Sequence, residues 1–359
     1  MTSTVDIPAS EMTVPATSGF RPSVAIWLFA LAGLVALMVL VGGATRLTDS
    51  GLSITEWAPV AGALPPFGES AWLAEFEKYK AIPEYEIVNW GMSLQEFKTI
   101  YWWEWGHRFL GRLIGLAALL PLLFFVARGM ISRGLALKLA GIVTVIGAQG
   151  ALGWWMVASG LTERVDVSQY RLAAHLALAV ALFGAILWLA LDYAGARRER
   201  ALHLTPWAFA LGLAVYGQIV LGAFVAGLRA GKGFNTWPLM DGSFVPEGYF
   251  AGQPRFLDLF ETIAATQFNH RMGAYLIFFG AIAFWFMARR TEISGRAGVL
   301  AIAVSAQAIL GIVTVLNATP IGLGLAHQAG ALIVFAAAIA MIYGCVGEIS
   351  IRKLSSSAG

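Results

Sequence analysis

Residues 104–112 read Glu-Trp-Gly-His-Arg-Phe-Leu-Gly-Arg and open an apolar run that continues to about Val126. A helix needs about 20 predominantly apolar residues to cross a bilayer, and this run supplies them. On a helix Glu104 and His107, three apart, share one face, and Arg108 and Arg112, four apart, share a neighbouring one. Ionisable groups are expensive at membrane depth, so this cluster at the mouth of a spanning helix points to a functional site. A second version, Asn269-His270-Arg271, opens another apolar run, and His175 and His327 stand near the starts of two more.

Outward from that stretch the rest of the chain is equally apolar. Of 359 residues 58% are hydrophobic and 13% charged, with a mean hydropathy of +0.72, whereas soluble domains carry about 25% charged residues. The formal charge of +3 is small and gives no reason to expect a nucleic-acid partner; the lipid bilayer is the expected surrounding. The single cysteine, Cys345, cannot form an intramolecular disulfide. Residues 1–20 are polar, contain Pro8 and Pro15 and lack a basic leader, which reads as a disordered tail and not as a cleaved signal peptide.

Runs long enough to span fall near 24–45, 105–126, 135–157, 171–193, 206–228, 266–288, 297–317 and 323–346. Basic residues gather in alternate connections: Arg128, Arg133 and Lys138; Arg197, Arg198 and Arg200; Arg289, Arg290 and Arg296; then Arg352 and Lys353 after the last run. Glu199 and Glu292 are the acids among them, while Glu69, Glu75, Glu77, Glu84, Glu86 and Glu96 crowd the first connection. The positive-inside rule then places both termini in the cytoplasm and the long connections 46–103 and 229–265 outside, with the four membrane histidines near that outer side.

The two halves repeat. Gly42, Gly51 and Trp57 match Gly222, Gly231 and Trp237 at one offset, His107-Arg108 matches His270-Arg271, and His175 matches His327. Four helices per half is an even number, so both copies point the same way about an axis along the membrane normal. The expected fold is therefore an all-α polytopic membrane protein, with eight transmembrane helices as two pseudo-symmetric four-helix bundles. Its parts are a cytoplasmic disordered tail 1–23, an N-terminal half 24–193, a cytoplasmic linker 194–205, a C-terminal half 206–346 and a cytoplasmic tail 347–359. Gln149-x-x-Leu152-Gly153, Gln218-x-x-Leu221-Gly222 and Gln307-x-x-Leu310-Gly311 repeat a pattern whose small residue suits close helix packing, and packing is the role expected of it. In the first connection, residues 70–80 show helical spacing and Ser93 with Glu96 forms a capping-box pattern.

Histidines from facing helices of a bundle build cofactor sites, and imidazole is a standard axial ligand of haem iron. Zinc wants three or four converging ligands, with carboxylate or thiolate among them. Here each half offers one pair on separate helices, which suits one large planar cofactor. No Cys-x-x-Cys-His is present, so c-type attachment is excluded. His203 lies among arginines in a connection and reads as a surface residue. Arg108, Arg112 and Arg271 are candidates to pair with haem propionates, since guanidinium meets carboxylate in a planar, bidentate way. Arg46 and Arg229 at the loop ends are weaker candidates, and snorkelling to the interface is the alternative for all five. The position matching Glu104 in the other half is Gln267, which suggests one catalytic half and one cofactor half.

These residues together resemble the haem A synthase family, the membrane oxidases that convert haem O to haem A for cytochrome c oxidase. The resemblance covers roughly residues 24–346 and rests on Glu104-x-x-His107-Arg108, Asn269-His270-Arg271, the histidines His175 and His327, and the 43–57 segment Gly-x-x-Arg-Leu-Thr-x-Ser-Gly-Leu-Ser-Ile-x-x-Trp. It implies that His270 and His327 hold the iron of a permanent haem b in the C-terminal half. It implies that His107 and His175 belong to the N-terminal site for haem O, there as ligands of the substrate iron, and that Glu104 is needed for turnover. The implied reaction oxidises the C8 methyl of haem O to a formyl group by successive hydroxylations and loss of water. The implied partners are haem O synthase (the protohaem farnesyltransferase), cytochrome c oxidase assembly factors and an electron donor the sequence does not name. The implied location is the bacterial inner membrane. Some relatives carry a cysteine pair in the outer loops; this chain has none. The competing readings are a quinol-linked di-haem b electron carrier and a haem transporter.

Overall fold

The computed structural model describes residues 22–199, 201–251 and 255–346. The expected tails, with Arg352 and Lys353, and Arg200 lie outside the described residues, apart from Pro22 and Ser23. Eleven α-helices follow in order: α1 (Pro22–Leu47), α2 (Glu69–Lys80), α3 (Pro83–Ile87), α4 (Leu94–Ala127), α5 (Arg133–Val157), α6 (Gln169–Tyr193), α7 (Thr205–Gly227), α8 (Arg255–Glu261), α9 (Ile263–Ala288), α10 (Ser294–Leu316) and α11 (Ile321–Cys345). Among the described residues eight helices, α1, α4, α5, α6, α7, α9, α10 and α11, are long and apolar enough to cross a membrane. No β-strand forms there beyond one isolated bridge, Met240 to Ser243. The all-helical build satisfies backbone groups within each segment, as hydrocarbon demands.

The helix ends follow from local chemistry. Ser93 caps α4: its hydroxyl accepts from Glu96 N–H, and the Glu96 carboxylate accepts from Ser93 N–H at 2.8 Å. This cap corrects the expected start of the second span, because α4 begins at Leu94 and not at 105. Its first three turns stand outside the apolar run and pack on the outer connection. Ser132 caps α5 and Thr262 caps α9 by the same hydroxyl-to-amide bond.

The spanning helices close into two rings, α1-α4-α5-α6 and α7-α9-α10-α11. They meet along a seam where α6 packs on α7 and α11, and α1 packs on α11. One buried core runs through both rings, from Leu28, Leu31 and Val35 to Phe335, Ala338 and Met341. Large apolar residues on the outside, among them Leu120, Leu123, Leu213 and Leu276, are exposed as befits lipid-facing positions. A polar bond crosses the seam: Gln328 donates to the Val39 carbonyl at 2.8 Å, and a Cβ at Gly43 would collide with its amide. In lipid, small residues of this kind let helices approach and polar groups bridge them.

The first connection is a structured cap. α2, α3 and the start of α4 bury Trp72, Phe76, Tyr79, Tyr85, Phe97 and Tyr101 in a second core. The basic connections are less unpaired than their composition suggests. Arg198 meets Asp192 at 2.7 Å, Arg197 meets Glu292 at 3.1 Å, and Arg296 meets Glu199 at 3.2 Å.

Candidate functional site

Each membrane histidine lies against a glycine of a neighbouring helix. A Cβ built on Gly42 of α1 would come within 3.0 Å of His107 on α4, and one on Gly153 of α5 within 2.9 Å of His175 on α6. The second ring repeats this, with Gly222 of α7 at 3.3 Å from His270 on α9 and Gly311 of α10 at 2.9 Å from His327 on α11. Alanine at these positions would press on an imidazole, so the glycines make room for the four rings.

The sequence reading missed what stands one helical turn before three of those glycines. Gln149 Nε2 lies 3.1 Å from His175 Nδ1 and donates to the His175 carbonyl at 2.8 Å. Gln218 does the same to His270, at 3.1 and 2.8 Å, and Gln307 to His327, at 3.1 and 2.7 Å. The Gln-x-x-Leu-Gly pattern is thus more than a packing surface: spaced four apart, its amide grips a histidine ring while its glycine gives that ring space. In all three the amide oxygen Oε1 is buried without a partner. A rotated amide offers that oxygen to an Nδ1–H, the proton position of an imidazole whose Nε2 binds a metal, at the cost of its contact to the backbone carbonyl.

His270 and His327 are brought together, one ring edge-on to the other. Their ring centroids are 6.3 Å apart, with planes at 76°. An imidazole nitrogen binds a transition metal at about 2.0–2.1 Å, and the ring centre lies roughly 1.1 Å behind it, so two axial imidazoles on one iron have centroids roughly 6 Å apart. The pair therefore fits a single iron between its rings. His107 and His175 form no such ring contact among the described residues.

Glu104 is 2% exposed, and its oxygens are committed. Ser53 Oγ and Ile54 N–H each donate to Oε2 at 2.8 Å, and Arg108 donates to Oε1 through Nη2 at 2.6 Å and Nε at 3.1 Å. Arg108 also donates to the carbonyls of Ile54 and Glu56, at 2.8 and 2.9 Å. Arg271 holds the matching positions of the other half, the carbonyls of Phe234 and Thr236, at 2.9 and 2.8 Å. Gln267, in the place of Glu104, donates to the Phe234 carbonyl at 3.0 Å. Arg112 donates to the carbonyls of Pro59 and Ala58, both at 2.9 Å.

The three candidate arginines thus clamp the outer loops to the helix mouths. Guanidinium carries five N–H groups; those bonds leave three on Arg112 and three on Arg271 for another acceptor, and one on Arg108. Trp57 stacks on Trp154 at 6.3 Å beside the Arg108 clamp. Arg46 and Arg229 both pair with Asp166, at 3.1 and 3.0 Å, and with Asp49, at 3.3 and 2.9 Å. His203 is exposed on the short turn before α7, away from the rings.

Outside the spanning segments the carboxyl of Glu84 is raised. Burial pushes Glu84 in α3 up to about 8, with Glu104, Asp49 and Asp166 adding to the rise and the Tyr79 hydroxyl, which donates to it at 3.1 Å, opposing it. A cavity of about 20 Å³, room for one water, is lined by Arg46, Asp49, Glu84 and Asp166.

Comparison with known proteins identifies the family of the chain. The profile of a family described as cytochrome oxidase assembly protein matches residues 25–339. The chain is 54% identical over 324 residues to the "Heme A synthase" of Parvibaculum lavamentivorans, covering 90% of this chain and 94% of that one. It is 50% identical over 345 residues to that of Chelativorans sp., covering 95% and 96%. With that of Azorhizobium caulinodans it shares 51% identity over 326 residues, covering 88% and 92%.

Proposed function

Because the chain belongs to the cytochrome oxidase assembly protein family, we propose that it is a haem A synthase, with a permanent haem b held by His270 and His327 and haem O taken up at His107 and His175. It is an integral membrane enzyme, and its reaction converts haem O to haem A. A methyl group becomes a formyl group, which is a four-electron oxidation that adds one oxygen and removes two hydrogens.

The 6.3 Å separation of the His270 and His327 rings is the observation that carries the haem b assignment. When bound there, haem b would supply one-electron transfer. The residues around it hold and orient: Gln218 and Gln307 fix the rotation of the two imidazoles, and Arg271 has N–H groups to spare for a propionate. In the other ring Gln149 fixes His175, and Arg112 has the spare donors. Glu104 lies one turn from His107, held by Arg108, Ser53 and Ile54, and serves as the carboxylate that accepts a proton or opposes positive charge while the methyl is oxidised. The outer loops clamped by Arg108 and Arg112 keep water from the mouth of that ring. The haem sites lie toward the outer side of the membrane and both termini in the cytoplasm, a reading supported by the basic residues of the alternate connections. Haem O synthase, the farnesyltransferase, is the expected supplier of substrate, and oxidase assembly factors the expected recipients of product.

Haem extraction and spectroscopy of single variants test this. His270→Ala and His327→Ala should remove the stable b-type spectrum. His107→Ala and His175→Ala should keep much of it while abolishing haem A. The reverse pattern overturns the assignment of the halves, and two equivalents of haem b with neither haem O nor haem A in the purified protein would favour an electron carrier.

A further inference from the structure

Three of the four histidines are gripped by a glutamine one turn before the glycine that faces them. The fourth is not. On α1 the place of Gln149, Gln218 and Gln307 is taken by Met38, four residues before Gly42. Met38 turns its methyl toward α4 one turn below His107, 3.3 Å from where a Cβ on Gly111 would stand. No hydrogen bond reaches either ring nitrogen of His107 among the described residues. A thioether is only a weak acceptor and donates nothing, so Met38 cannot replace the amide.

We propose that Met38 is a positioning residue that leaves His107 as a loosely held, exchangeable axial group, and so sets the rate at which the N-terminal ring releases its haem. The inference rests on the reading that this ring takes haem O. A ring nitrogen that is hydrogen-bonded on its far side makes imidazole a better oriented and more basic ligand. The C-terminal ring, which keeps its cofactor, has at both histidines a glutamine amide that gives this support once it is turned. Its two amide oxygens also pack against Gly273 and Gly330, where a Cβ would collide with them. The N-terminal ring has the support only at His175. A site that must accept a substrate haem and let a product haem go needs one ligand that holds and one that lets go. The Met38 side of the ring provides the second.

The test uses full-length protein purified from membranes that also make haem O. Two quantities are read: the rate at which haem O and haem A leave for an excess of apomyoglobin, and the midpoint potential of that haem. Met38→Gln should slow the release by about 10–100-fold, the size of effect that outer partners of metal ligands have, and lower the potential, while haem b stays as it is. Gln149→Met should do the opposite and speed release from the same ring. If Met38→Gln does not accumulate, Gln149→Met and Gln307→Met still decide, since each should loosen only the haem of its own ring. Release rates and potentials unchanged in all three variants overturn the proposal. His107→Ala separates the two levels of the argument. If it leaves haem O and haem A content untouched, the placement of haem O fails; if it removes them while Met38→Gln changes nothing, only the role of Met38 fails.

Discussion

Glu104 commits both carboxylate oxygens to the protein, to a loop on one side and to Arg108 on the other. Glu104→Gln can keep the bonds from Ser53 and Ile54 but leaves the Arg108 charge without its partner. Breaking a buried pair in this way is costly, about 3–5 kcal/mol, yet Arg108 is partly exposed, 19%, so the real cost is a fraction of that. The variant should fold and show haem b at normal height. Haem A should fall by an order of magnitude or more, as loss of acid–base help typically costs about 10²–10⁴ in rate, and haem O should accumulate on chromatography of extracted haems. Near-normal haem A would reduce Glu104 to a loop anchor. The four histidines were legible in the sequence because ionisable groups are rare at membrane depth. Their glutamine partners were not, because Gln-x-x-Leu-Gly satisfies helix packing equally well and only the fold shows which helix faces which ring. The arginines were read as propionate partners from their chemistry alone, and the loop carbonyls they hold carry no side-chain signal.

At the scale of elements, the outer cap built from α2, α3 and the start of α4 was partly legible. The periodicity of 70–80 and the Ser93–Glu96 pair announced α2 and the start of α4. The five residues of α3 are too few to show a period, and with them the burial of Glu84 went unseen. Its carboxyl is held near 8 in the folded protein, above its unfolded value of about 4.5. Between those values the folded state keeps a proton that the unfolded chain has lost, so stability falls as pH rises through that window. Glu84→Gln keeps an acceptor for Tyr79 and should flatten that slope. Thermal unfolding in detergent micelles across the window measures it; an unchanged slope would mean that Glu84 does not titrate there.

For the whole molecule, the eight spans were legible because length and hydropathy decide them, and the internal repeat foretold two rings of four. The seam was not legible: Gln328 reaching Val39, or α6 packing on both α7 and α11, depends on shapes that single helices do not reveal. Orientation is open to direct measurement. Cys345 is buried, so introduced cysteines report. An impermeant thiol reagent added to intact cells should label Ala81→Cys, exposed beside α2, and leave Arg290→Cys, exposed after α9, unlabelled until the membrane is opened. The reverse result inverts the protein in the bilayer. Asp49 and Arg229 stand at matching places in the two halves, each with a φ of 51°, and they meet at 2.9 Å. In an assembly of two identical halves, symmetry would fill both places with one residue, setting acid against acid or base against base. This contact therefore exists only because the two halves differ in sequence at this place. It marks the two halves as not interchangeable, and a gene assembled from either half in tandem with itself would encode a protein without it.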